Sequence, residues 1–217
     1  MLPVRIPVAK EGVPFIGMSA LATIVLALLQ MPWPALSALL FTGFVVYFFR
    51  DPERVVPHGR GLLTSPADGK VIDISQASES FFNTGTTAKI SIFMNVFNCH
   101  VNRSPISGKV IDMKYRQGKF ISANRSRAMA ENEANALVIQ DEAGRKVTVV
   151  QVAGLIARRI VCHAQVGDRL SRGQRYGMIR FGSRLDVYLP PGARIVVGKG
   201  QVVVAGQTVI AELEAAS

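Results

Sequence analysis

From Gly12 to Phe49 the chain has no Asp, Glu, Lys or Arg, and nothing else in the sequence restricts its fold as much. A helix needs about 20 apolar residues, at roughly 1.5 Å of rise each, to cross a bilayer core of about 30 Å. Pro32-Trp33-Pro34 divides the run into 13–31, which is long enough to span, and 35–49, which is short. Arg5 and Lys10 precede the run, and Arg50 and Arg54 follow it. Basic flanks at both ends favour a re-entrant or interfacial helical hairpin whose two ends are cytoplasmic. Two other readings compete. One is a cleaved signal peptide, although "LLFTGFVVYFF" carries the apolar run beyond any such cut. The other is a pair of buried core helices.

Composition bounds the rest. At 217 residues the chain has room for one domain plus an appendage. A hydrophobic fraction of 49% with only 18% charged residues excludes intrinsic disorder. A net charge of +10 draws the protein toward phosphates, whether on nucleic acid or on an anionic membrane surface. The arginines have little aromatic interleaving, and no helix-turn-helix or zinc-finger spacing occurs, so nucleic acid is set aside. Cys99 and Cys162 are too few for a disulfide framework and read as small buried apolar residues. Neither Cys99-His100 nor Cys162-His163 has a second pair at ligand spacing, so no metal site is expected.

After Arg50 the chain changes character. "RDPERVVPHGRG" is a polar connector, which puts a membrane-associated segment at 1–50 and a globular domain at 51–217. Within that domain, "KVIDI" at 70–74, "AKISIFM" at 88–94, "NALVIQD" at 135–141, "KVTVVQVAG" at 146–154, "LDVYLP" at 185–190 and "ARIVVGKGQVVV" at 193–204 are β-branched and bounded by turn formers. The expected fold is mainly β (α+β), a flattened β-barrel or sandwich behind an N-terminal apolar helical hairpin. One helix is expected in the domain, over 122–134. The stretches 166–179 and 197–213 space glycines around short strands in the manner of biotinyl and lipoyl carrier hairpins. Lys199 lacks the neighbours of a modified carrier lysine, so that likeness is architectural.

In "MIRFGSRLDVYLP" at 178–190, Gly182-Ser183 interrupts what reads as one strand, and alone it would mark a β-bulge. Its context is more specific. "SPADGKV" at 65–71, "FMNVFNCHVNRSPISGKV" at 93–110, "ENEAN" at 131–135 and "AGLIARRIV" at 153–161 stand in order upstream, with "FFRDPER" at 48–54 before them. Together these blocks resemble the short form of the phosphatidylserine decarboxylase proenzymes, over nearly all of the chain after the apolar run. The resemblance implies autocatalytic cleavage at Gly182-Ser183 into chains 1–182 and 183–217, held as a heterodimer or a higher assembly of it. It also implies conversion of Ser183 into a pyruvoyl group, a covalent cofactor that acts as an electron sink in place of pyridoxal phosphate. The substrate would be phosphatidylserine, the product phosphatidylethanolamine, and the location the cytoplasmic side of the cell membrane.

The residue types suit that chemistry. A serine attacking the preceding carbonyl needs a neighbour without Cβ and a base to take its proton. His58 lies in the connector and His163 beside Cys162; His100 stands in the block that carries the resemblance. The resemblance supplies Asp68 of "SPADGKV" as its acidic partner, so that Asp68, His100 and Ser183 would form a triad-like relay. His100 would then also serve as general acid after decarboxylation. Relatives often carry an aspartate two positions before this histidine, where this chain has Asn98. Arg158, Arg159, Arg169, Arg172, Arg175, Arg180 and Arg184 are expected to concentrate positive charge near the site, for a lipid phosphate or an anionic membrane. Two alternatives remain at this stage: a decarboxylase of archaetidylserine-type ether lipids, and a non-catalytic membrane-anchored β-barrel adaptor in which Gly182-Ser183 is only a bulge.

Overall fold

A computed structural model of the chain describes residues 7–78, 81–82, 85–119, 131–154, 159–180 and 183–213. It divides into two compact units, Met1–Glu53 and Arg54–Ser217.

The first unit is a helical pair, α1 (Val13–Leu28) and α2 (Pro32–Phe48). The apolar run divides at Pro32, as the sequence reading has it, but Pro32 and Pro34 belong to the second helix and open it instead of lying outside it. A proline in the first turn lacks only an N–H that would be unpaired there anyway, and its fixed φ suits the helix. The helices are tied by Thr23 Oγ1 and Thr42 Oγ1, 3.1 Å apart, and Phe15 stacks on Phe49 at 5.4 Å. α1 buries none of its side chains, which removes the reading of two core helices. Leu28 and Trp33 are 78% and 77% exposed. The 19 residues Lys10–Leu28 are long and apolar enough to cross a membrane by length and composition.

The second unit is mainly β. Its largest sheet joins eight antiparallel strands in the order β13 (Val202–Val203), β2 (Gly69–Ser78), β3 (Thr86–Met94), β11 (Ser183–Tyr188), β7 (Lys146–Val152), β6 (Ala134–Gln140), β5 (Gly108–Arg116) and β9 (Arg169–Leu170). It curls into a half-barrel. Two three-stranded sheets complete the unit, β4 (Val101–Arg103), β10 (Arg175–Ile179) and β8 (Ile160–Cys162) in the order β4-β10-β8, and β1 (Leu62–Thr64), β14 (Val209–Glu212) and β12 (Arg194–Ile195) in the order β1-β14-β12. Ile90, Ile92, Leu137, Ile139, Val147, Val149, Leu185 and Val187 lie in one buried cluster. Alternate residues of a strand face opposite sides, so the β-branched runs give the large sheet one continuous apolar face.

Two expectations about the strands need correction. The run 178–190 is not one bulged strand, because β10 and β11 belong to different sheets. The stretch 193–204 is two short strands, β12 and β13, in different sheets rather than one. Of the helix expected over 122–134, residues 122–130 lie outside the described residues, and Ala134 opens β6. The carrier-like stretches also part company with a carrier hairpin: β9 does not pair with β10, nor β13 with β14.

Candidate active site

Ser183 is the first residue of β11, central in the large sheet between β3 and β7, and it is fully buried. It stands opposite Met94, the last residue of β3, and its Oγ donates to the Met94 Sδ at 4.0 Å. Phe181 and Gly182 lie outside the described residues. Ile179 ends β10 in one sheet, and Ser183 begins β11 in another, so a crossing between sheets falls between them in the chain.

His100 sits at the start of that crossing. Its carbonyl accepts the Ile179 N–H at 3.3 Å, and the next residue, Val101, pairs with Met178. The imidazole is fully buried, with Nδ1 2.9 Å from the Asn98 carbonyl. A carbonyl only accepts, so Nδ1 carries the proton and the lone pair of the neutral ring is on Nε2. The backbone of Asn98 therefore sets the tautomer for which an aspartate side chain was the expected source. The Asn98 carboxamide is used elsewhere, its Oδ1 accepting the Asn95 N–H at 2.9 Å to close the turn after β3.

Asp68 has other partners than the histidine. Its Oδ2 pairs with Arg54 Nη2 at 2.8 Å, and its Oδ1 accepts the Ala205 N–H at 2.7 Å. No hydrogen bond joins Asp68 to His100 among the described residues. The loop that carries Asp68 still touches the histidine's strand, since Pro66 accepts the Arg103 N–H at 2.9 Å.

Behind Ser183 lies a run of buried polar side chains. Asn135 Nδ2 donates to Gln151 Oε1 at 3.0 Å, Gln151 Nε2 donates to Asn102 Oδ1 at 2.8 Å, and Asn102 Nδ2 donates to the Met94 sulfur at 3.8 Å. All four are at most 3% exposed. Buried carboxamides are retained only where their polar atoms are satisfied, and this run ends on the atom that accepts the Ser183 hydroxyl. The sequence reading missed these residues. Their signal was present: "NALVIQ" and "KVTVVQV" each place a carboxamide inside an otherwise apolar strand.

The arginines expected to concentrate charge near the site are not all gathered there. Arg184 faces away from Ser183 on the strand and forms a two-pronged pair with Asp186, at 2.8 and 2.6 Å, in the opposite buried face of the sheet. Arg172 donates to the carbonyls of Pro57, Gly59 and Leu62. Arg169 belongs to β9 at the far edge of the sheet. Near the crossing, the Arg180 N–H donates to the Arg159 carbonyl at 3.4 Å, and Arg175 stands across from Arg103. Arg158 lies outside the described residues. His58 and His163 are exposed, which leaves His100 as the buried histidine. Burial pushes the Cys162 thiol above its ordinary range.

Comparison with known proteins bears on the same residues. The family model for phosphatidylserine decarboxylase matches residues 41–211. A phosphatidylserine decarboxylase proenzyme of Geobacter sp. (strain M21) is 54% identical over 210 residues, covering 94% of this chain and 95% of the relative. One from Geotalea uraniireducens (strain Rf4) is 52% identical over 206 residues with the same coverage. One from Trichlorobacter lovleyi (strain ATCC BAA-1151 / DSM 17278 / SZ) is 50% identical over 220 residues, covering 98% of this chain and all of the relative. With a sheet-to-sheet crossing that delivers a buried serine, and with this identity over nearly its whole length, the chain belongs to the phosphatidylserine decarboxylase family.

Proposed function

We propose that Ser183, released by self-cleavage at Gly182-Ser183, becomes the pyruvoyl group with which this decarboxylase converts phosphatidylserine to phosphatidylethanolamine. The observation that carries the reading is the place of Ser183, buried at the start of a central strand, directly after a crossing anchored by His100. A serine hydroxyl is a weak nucleophile until a base takes its proton. In the neutral ring held by Asn98, Nε2 of His100 carries the lone pair that would act as the base. Attack of Ser183 Oγ on the Gly182 carbonyl exchanges the amide for an ester and frees the Ser183 amine. Loss of the Ser183 α-proton then expels the Gly182 carboxylate, which ends the large chain. Hydrolysis of the resulting enamine releases ammonia and leaves the ketone at the head of the small chain, 183–217.

That ketone supplies an electron sink for the pair released when carbon dioxide leaves. The surroundings of Ser183 suit it: the position is enclosed, apolar on the Leu185 side and backed by satisfied amides. His100 holds the proton that the α-carbon must take up after carbon dioxide departs. Asp68 is a positioning residue in this scheme. It anchors Arg54 and Ala205 to the loop whose Pro66 braces the strand of His100. Arg159 and Arg180, joined through their backbones beside the crossing, are the cations proposed to receive the lipid phosphate. The apolar surfaces of α1 and α2 and the net charge of +10 support membrane association.

Vesicles containing phosphatidylserine, incubated with the purified protein, test the activity. The wild-type chain should release carbon dioxide and yield phosphatidylethanolamine, and Ser183→Ala should do neither. Turnover by Ser183→Ala, or none by a wild-type chain that has undergone cleavage, would overturn the assignment.

A further inference from the structure

A cavity of about 970 Å³ opens at the end of the large sheet away from Ser183. Its wall includes the turn between β6 and β7, which ends at Arg145. Strand β7 then runs to Val152, which pairs with Arg184 next to Ser183. Seven residues at roughly 3.3 Å each separate the two ends by about 23 Å. One phospholipid headgroup cannot occupy both places.

The cavity is cationic in a particular way. Arg145 is paired with Asp141 at 2.7 Å, and Arg172 donates to three carbonyls of the 57–62 loop. Arg60, Lys109 and Arg169 also line the wall, and none of them is paired with a carboxylate among the described residues. Lys109 and Arg169 are direct cross-strand partners on β5 and β9. Like charges placed directly opposite each other on a sheet are destabilising. An anion between them turns that repulsion into attraction.

The third cation is held on a stiff frame. Arg60 stands between Gly59 and Gly61, whose φ values are +137° and +70°. At Gly61 a Cβ would meet the Leu213 carbonyl oxygen at 2.6 Å, and the Leu213 N–H donates to the Gly61 carbonyl at 2.7 Å. Arg172 fixes the same loop through Pro57, Gly59 and Leu62. Strand pairing holds the backbones of Lys109 and Arg169, and a braced loop holds that of Arg60, so a ligand has only their exposed side chains left to order.

We propose that this cavity binds a phosphate group through Arg60, Lys109 and Arg169. Guanidinium forks and an ammonium suit the tetrahedral oxygens of a phosphate monoester or diester, and although Asp141 and Glu142 also line the wall, its cations Arg60, Lys109, Arg145, Arg169 and Arg172 outnumber them and leave the concave surface net positive. The group can come from a soluble phosphorylated metabolite or from the headgroup of an anionic lipid. The inference is independent of the chemistry at Ser183.

The test uses the full chain and two double variants of equal charge, Lys109→Gln/Arg169→Gln in the cavity and Lys70→Gln/Lys199→Gln outside it. Inorganic phosphate is titrated calorimetrically at constant ionic strength. Wild type and the outside variant should bind alike, and the cavity variant at least tenfold more weakly. In phosphate-free buffer the cavity variant should melt no lower than wild type, since the substitution removes a repulsion; a structural role alone would lower it. Equal phosphate affinity in all three proteins, or no binding to wild type, would overturn the proposal. Vesicles of phosphatidylcholine, with and without phosphatidylglycerol, then separate the sources. A loss of phosphatidylglycerol-dependent binding in the cavity variant alone marks a lipid headgroup, and phosphate binding without that loss marks a soluble ligand.

Discussion

The Ser183 hydroxyl donates to the sulfur of Met94, directly opposite on the neighbouring strand, at 4.0 Å. A thioether is a weak acceptor, so the hydroxyl is oriented without being held strongly, as a nucleophile awaiting a base requires. Met94→Leu keeps the volume and removes the acceptor. Self-cleavage should slow by no more than about tenfold, since a bond worth about 1 kcal/mol is lost. His100→Ala should slow it by about 10²–10⁴, the usual range for a lost general base. A quenched time course on gels compares the two.

Arg184 and Asp186 form a paired charge in a face of the sheet where both residues are almost wholly enclosed. Removing one partner of such a pair strands the other charge. Asp186→Ala should destabilise the second unit by about 3–5 kcal/mol, and Arg184→Met/Asp186→Leu should recover most of that loss. Denaturant titration of uncleaved Ser183→Ala protein measures both without interference from processing.

Gln151 joins Asn135 to Asn102 through its two carboxamide atoms. Gln151→Met fills the space but leaves one donor and one acceptor buried without a partner, each costing about 1–3 kcal/mol. The melting temperature should fall. Asn102, no longer held by Gln151, should then orient Met94 less well, and cleavage should slow more than in Met94→Leu.

Tyr176 is fully buried, and its hydroxyl has no hydrogen-bond partner among the described residues. Burial raises its ionisation well above that of an ordinary tyrosine. The unfolded chain therefore gives up this proton first as pH rises, so the folded state binds more protons and stability falls above about pH 10. Tyr176→Phe should remove that alkaline slope and leave neutral-pH stability unchanged or higher. Melting curves at pH 7 and above pH 10 give both readings.

Much of this architecture was legible in the sequence, for identifiable reasons. Runs such as "AKISIFM" and "KVTVVQV" announce β3 and β7 because β-branched residues on a pleated, buried surface leave a local pattern. The parting of β10 from β11 into two sheets was not legible, because sheet membership is decided by distant partners, Val101 for one and Met94 for the other. Ser183 and His100 stood out through their blocks. The partners of Asp68 did not, since Arg54 and Ala205 meet it only through the fold. Prolines 32 and 34 marked the division of the apolar run but not that they open the second helix, because a proline can end a helix or begin one, and only the backbone geometry tells which.

The central claim is that the chain cuts itself before Ser183 and converts that serine. A denaturing intact-mass spectrum of freshly purified protein, beside Ser183→Ala, tests it most directly. The account predicts two fragments from the wild type that meet at Gly182, the smaller one lighter by one ammonia than a serine-terminated chain, and one uncut species from the variant. A single uncut wild-type chain after incubation with membranes, or a small fragment that keeps its serine, would contradict it.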